Sequence, residues 1–212
     1  MSHVKTRRSY DSSRRRDQAR QTRAEVLDAA RRLFLADGYT ATTVASVART
    51  ARVSVETVYK TFGNKSGLLR AVAEAALAGP GPTSTTERSD AMRATETDPY
   101  AIVRGWAAFA TELIPRMAPV MLVIRSAAAT SSDIADLLAR LDQDRLDRMA
   151  EQAAFLRQHG HLRHDVTEDE ARDAMWAYSD LTLYELLVLR QKWPIERFRD
   201  FLARGLTAAL LP

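Results

Sequence analysis

Apolar residues recur at helical spacing through most of the chain. Val26, Ala30, Leu33 and Phe34 fall at i, i+4, i+7 and i+8, which predicts one buried helix face. Thr22 and Glu25 form a capping-box pattern at its start, and Gly38 stops it. A second helix is expected over 43–51, capped by Thr42 or Thr43, and a third over 54–62, with Ser54 as N-cap and Glu56 in its first turn. Gly63-Asn64 then breaks the chain before a fourth helix carrying Leu68, Leu69, Val72, Ala73 and Ala76.

Residues 79–98 interrupt this pattern with Gly79, Pro80, Gly81, Pro82 and a Ser/Thr/charged stretch, and read as a loop or linker. Asp98-Pro99 opens the next helix as N-cap and N1. Helices are expected over 99–113, 115–128 and 132–159, the last closed by Gly160. Another opens at the Thr167/Glu170 capping box, and a final one runs from Pro194 to about residue 211. No strand pattern or internal repeat interrupts them. The fold class is therefore all-α, about nine helices. The organisation reads as a disordered basic arm at 1–21, a helical head at 22–77, a linker at 78–98 and a helical body at 99–212.

Charge changes this picture. Residues 1–70 hold 15 Lys/Arg against 6 Asp/Glu, and the remainder holds 16 against 21. One end suits a polyanion and the other does not. The N-terminal arm carries Arg14, Arg15, Arg16, Arg20 and Arg23, and it either enters an adjacent minor groove or simply solubilises the chain. The absence of cysteine excludes a disulfide framework, a thiolate zinc site and a thiol nucleophile. The longest central apolar run, 117–124, falls short of the roughly 20 residues that span a bilayer, so a cytoplasmic protein is expected. His159, His161 and His164 cluster after a helix, but they read as an interhelix loop, and neither a metal nor a cofactor is expected.

Within residues 38–69 the pattern is helix, three-residue turn, helix. Val44, Val47, Ala48 and Ala51 face inward, Val53 anchors the turn, and Val58 with Phe62 buries the second helix. Short polar side chains crowd the start of that helix, where a recognition helix meets base edges. The stretch closely resembles the signature of the TetR family. It does so at Gly38-Tyr39, Thr42-Thr43-Val44, Val47-Ala48, Ala51, Val53-Ser54, Thr57-Val58-Tyr59, Phe62, Lys65 and Leu68-Leu69. The resemblance covers about residues 22–77, with a weaker one over 180–211. Two positions depart from the family. Arg52 stands where the family has glycine, so it either strains the turn or gains a phosphate contact. Gly67 stands where the family often has an acid, which weakens the capping of the fourth helix.

The resemblance implies that Thr43, Tyr59 and Lys65 contact phosphates, and Arg52, where the chain departs from the family, is a further candidate for such a contact. It also implies that Ser54, Val55, Thr57 and Lys60 read bases. In the second half, Trp106, Phe109, Met117, Met121, Arg125, Met149, Trp176 and Tyr178 are expected to line a ligand cavity, or else to form plain core. Leu187, Phe198, Leu202 and Leu206 lie on wide apolar faces that form either a dimer interface or intramolecular core, with Gly205 a point of close approach. The implied function is a homodimeric repressor on a palindromic DNA operator, released by a small apolar or amphipathic ligand. The alternative is an activator or a ligand-independent regulator. No catalytic triad, phosphate-binding loop or metal set points to an enzyme.

Overall fold

Local capping chemistry sets most helix starts in this computed structural model, which describes residues 5–212, with side chains at residue 14 and from residue 16 onward. The described residues form ten α-helices and one π-helical segment, with no strand. Helix α1 (Lys5–Ala41) turns sharply at Gly38, whose φ of 77° and ψ of 175° interrupt the helical run where the sequence predicted a stop. Helix α2 (Val44–Ala51) starts at Thr43, which exchanges capping-box bonds with Ser46. Helix α3 (Val55–Phe62) starts at Ser54, whose hydroxyl accepts from the Thr57 N–H. Helix α4 (Lys65–Ala78) starts at Asn64, whose side chain accepts from the Gly67 N–H.

The body consists of α5 (Thr85–Thr95), α6 (Pro99–Ala128), α7 (Ser132–Gln158), α8 (Glu168–Tyr178), α9 (Leu181–Tyr184) and α10 (Ile195–Leu210). The π-helical turns Glu185–Arg190 continue α9. Helix α6 is the axis: it packs on α7, α10 and α5 in the body and on α4 and α1 in the head. By length and composition it is apolar enough to cross a bilayer, but a core helix has the same composition, and ten of its residues are buried. One apolar cluster runs from Phe34 and Leu68 in the head through Ile124 and Ile134 to Phe198 in the body. A second, around Ile102, Trp106, Leu156 and Leu210, fills the far end.

Several expectations require correction. The arm expected to be disordered is helical from Lys5 onward, while residues 1–4 and the Arg15 side chain lie outside the described residues. The expected linker contains α5, opened by a capping box between Ser84 and Glu87 and packed on α6. The predicted break before Pro115 is absent, and α6 runs through both Pro115 and Pro119. A proline in a helix interior costs about 3 kcal/mol or more. Burial of Ile114, Ala118, Val120 and Met121 in the shared core offsets that cost.

Candidate nucleic-acid interface and ligand cavity

The turn between α2 and α3 is a Schellman motif. The Val53 N–H donates to the Ala48 carbonyl at 3.0 Å and the Arg52 N–H to the Arg49 carbonyl at 3.2 Å. Arg52 occupies the left-handed position, at φ 56° and ψ 39°. The strain expected from the sequence is thus present, on a side chain that is itself exposed. Beneath the turn, Val44, Val47 and Ala48 of α2 and Val58 and Phe62 of α3 are buried. The opposite face of α3 projects Ser54, Val55, Glu56, Tyr59 and Lys60 into solvent, with Tyr59 50% exposed. Thr57 is half-buried, and its hydroxyl lies 2.8 Å from that of Ser54. Arg49, Arg52 and Lys60 are exposed and have no carboxylate partner among the described residues. Sequence reading missed Arg49. Its signal is position: it lies in the last turn of α2, three residues before Arg52.

Lys65 is placed differently from its expected role at phosphate. Its ammonium donates to the carbonyls of Tyr39 at 2.8 Å and Thr42 at 3.0 Å, with Thr40 at 3.4 Å, and sits 4.2 Å from the centre of the Tyr39 ring. Its donors therefore satisfy carbonyls exposed by the Gly38 break. Burial holds this ammonium below the ordinary lysine range. Thr43 is exposed, with its hydroxyl engaged by Ser46 N–H at 3.0 Å. Of the arm arginines, Arg23 stacks on the Phe62 ring at 4.8 Å, Arg20 pairs with Asp17, and Arg14 and Arg16 are exposed.

The head meets the body at the start of α7. The Ser66 hydroxyl donates to Asp133 at 3.3 Å. Burial raises the pKa of the Tyr39 hydroxyl, opposed by a hydrogen bond with Ser131 and aided by the charge of Asp133.

In the body, a cavity of about 630 Å³ opens between α5, α6, α7, α8 and α10. Trp106, Phe109, Met117, Met121, Arg125, Met149 and Tyr178 line it, as expected of a wall, and Trp176 does not. Trp176 is exposed and lies under the Arg145 guanidinium at 4.9 Å, because its position on α8 faces away from the cavity. Sequence reading missed Thr85, Ser89 and Asp90, which reach the wall from α5, and also Arg145 and Gln152 of α7. Polar residues on a mixed helix face give no periodic signal. Asp180 anchors the polar end, accepting from Arg125 at 3.2 Å and Arg145 at 3.3 Å. Burial would raise its pKa, but hydrogen bonds from Thr182 and the two guanidinium charges outweigh it and hold the carboxyl below its ordinary value.

The residues expected at a dimer interface split. Phe198 and Leu202 are 0% and 1% exposed within the single chain, and Leu206 is buried beside them, so this stripe is intramolecular core. Leu187 is half-buried, and its neighbours Leu186 and Leu189 are exposed. Gly205 is a close approach as expected: a Cβ there would sit 2.5 Å from Cε1 of Tyr178. His159 packs on the Phe155 ring at 4.1 Å and shares a 2.9 Å hydrogen bond with the Phe155 carbonyl, which accounts for its place in the loop.

Residues 26–72 match the family described as bacterial regulatory proteins, tetR family. The chain is 43% identical over 53 residues to the HTH-type transcriptional regulator YvkB of Bacillus subtilis (strain 168), itself uncharacterised. That match covers 25% of this chain and 28% of the relative, so it reaches well under two thirds of YvkB. Solved structures match over nearly the whole length. One is a SmeT–triclosan complex, with TM-score 0.71, 21% identity, and 91% of this chain and 92% of that one covered. Another is native NalD, described as the secondary repressor of the MexAB-OprM multidrug efflux pump in Pseudomonas aeruginosa, with TM-score 0.70, 17% identity, and 91% and 98% covered. At these identities the structures establish the fold alone. Residues 26–72 thus carry the signature of the tetR family of bacterial regulatory proteins on a helix-turn-helix, set in a two-domain helical fold shared with these structures.

Proposed function

We propose that this protein is a DNA-binding transcriptional regulator of the tetR type, a repressor that binds a palindromic operator as a homodimer and is released by a small apolar or amphipathic ligand. The observation that carries this reading is the cavity of about 630 Å³, one wall of which is α6, the helix that also packs on α1 and α4 of the head. A ligand there repositions α6 and, through it, the recognition helix. A two-fold protein places two such helices in successive major grooves about 34–36 Å apart, and a ligand that favours a different spacing shifts the population off DNA. NalD is described as a repressor and SmeT is seen with triclosan, which supports the same reading here.

In the complex, Arg49, Arg52, Thr43 and Tyr59 lie on phosphates, and Ser54, Val55, Thr57 and Lys60 meet base edges. Lys65 acts by fixing the end of α1 rather than by touching DNA, since its donors are already engaged. The dimer forms through exposed Leu186 and Leu189 with the outer side of α10. The protein works by binding rather than catalysis, on DNA in the cytoplasm. Selection of bound DNA from a random pool, followed by titration of small molecules against the selected site, tests the reading. Recovery of a two-fold symmetric site, and its release by a cavity-binding compound, are expected. A monomer on an asymmetric site, or no compound that changes DNA affinity, overturns it.

A further inference from the structure

The polar groups around the cavity are almost all matched within the chain. Arg125 pairs with Asp180, Arg145 with both Asp180 and Asp142, and Arg148 with Asp90 at 2.6 Å and with Glu151, so no lining guanidinium is spare. The Thr85 hydroxyl accepts from Arg116 at 2.8 Å, and Ser89 from Arg148 at 3.5 Å. Among the buried lining residues Gln152 is an exception. It is 7% exposed and lines the cavity, yet its side chain makes no hydrogen bond among the described residues. It is also not among the side chains whose polar atoms are sealed from solvent-sized space, so its amide borders the cavity itself. Trp106, in the same lining, carries the one sealed side-chain donor without a partner, Nε1. An occupant that cuts this amide off from water without offering a partner incurs a desolvation cost, and a primary amide both donates and accepts.

We propose that Gln152 is the polar anchor of the cavity, and that the ligand it takes is an uncharged apolar molecule carrying one carbonyl or hydroxyl oxygen. Charge excludes the alternatives. A carboxylate entering here finds every lining guanidinium already neutralised, and passes Asp144 and Asp147, both exposed on the α7 side of the lining. A pure hydrocarbon leaves the amide unpaired, so the oxygen-bearing molecule wins over its hydrocarbon isostere. The Met117, Met121 and Met149 side chains adapt to its apolar part. This inference rests on the proposed ligand cavity and adds the chemistry of its occupant.

The test uses isosteric pairs on the intact protein: benzophenone against 1,1-diphenylethylene, and 2-dodecanone against 2-methyl-1-dodecene, with dodecanoate as the anion. Affinities are measured by calorimetry, and the indole N–H signals by ¹⁵N NMR. Each ketone should bind about 10-fold more tightly than its alkene, and dodecanoate more weakly than 2-dodecanone. Gln152→Met keeps length and removes the amide. It should erase the ketone preference while the thermal midpoint holds or rises, because no partner in the chain is lost. A preference that survives in Gln152→Met, tighter binding of dodecanoate, or binding of neither ketone at millimolar concentration overturns the proposal. If Gln152→Met unfolds the protein, Gln152→Glu replaces it: a carboxylate that cannot donate should weaken ketone binding, and unchanged binding counts against the anchor. Operator release is scored separately. Amide-dependent ketone binding that leaves DNA affinity untouched upholds the anchor and overturns ligand release. Release by compounds indifferent to Gln152 does the reverse.

Discussion

Replacing Arg52 by glycine separates two roles that coincide at one residue. The left-handed conformation at φ 56° and ψ 39° costs a residue with a Cβ about 1–2 kcal/mol. Glycine avoids that cost but loses about 0.5–1 kcal/mol more backbone entropy on folding. Arg52→Gly should therefore be about 0.5–1 kcal/mol more stable than Arg52→Ala, which keeps the strain and loses the charge. For a chain of this size that is a thermal shift of roughly 1–4 °C. Neither variant disturbs the main-chain bonds to Ala48 and Arg49. If Arg52 lies on phosphate in each half of a dimer, both variants should reduce the slope of log affinity against log salt by about 1.8, while Arg52→Lys leaves it nearly unchanged. Urea denaturation reads the first effect, and operator titration at several salt concentrations reads the second. Equal stability of the glycine and alanine variants would refute the strain argument. Unchanged salt slopes in both would remove Arg52 from the DNA interface.

Three further outcomes follow from the packing. Helix propensity alone says that Gly67→Ala stabilises α4 by up to about 1 kcal/mol, but a Cβ there overlaps the Phe62 carbonyl oxygen, so chemical denaturation should show net destabilisation by about 1–3 kcal/mol. Phe198→Asp and Leu202→Asp place charges in the interior of a single chain, so circular dichroism should show unfolding rather than a folded monomer, whereas Leu186→Asp with Leu189→Asp should leave the helices intact and shift sedimentation toward monomer. The Asp180 carboxyl titrates below its ordinary value, so the stability it supplies is complete above about pH 4 and fades as pH falls through its folded-state value; Asp180→Asn should flatten the acid limb of the stability profile, and an unchanged limb would refute the network's role.

The sequence by itself determined what local chemistry controls. Thr43, Ser54 and Thr167 cap the helices they were expected to cap, because each bond joins atoms three residues apart. Gly38 breaks α1, and Arg52 adopts a positive φ because the spacing of the helix-turn-helix demands it whatever residue stands there. The capping of α4 was readable too, in Asn64, although the expectation of weak capping at Gly67 overlooked it. Tertiary structure decided which surface each apolar or charged face meets. A stripe such as Phe198, Leu202 and Leu206 announces that it will be covered, but its period is the same whether its own chain or a second copy covers it. Lys65 reads as a free cation until the carbonyls released at Gly38, more than twenty residues earlier, come to rest beside it. Helix α5 has few apolar residues and is held by α6 rather than by a stripe of its own. The orphaned amide of Gln152 exists only because α5, α6, α7, α8 and α10 close around a volume that none of them encodes alone.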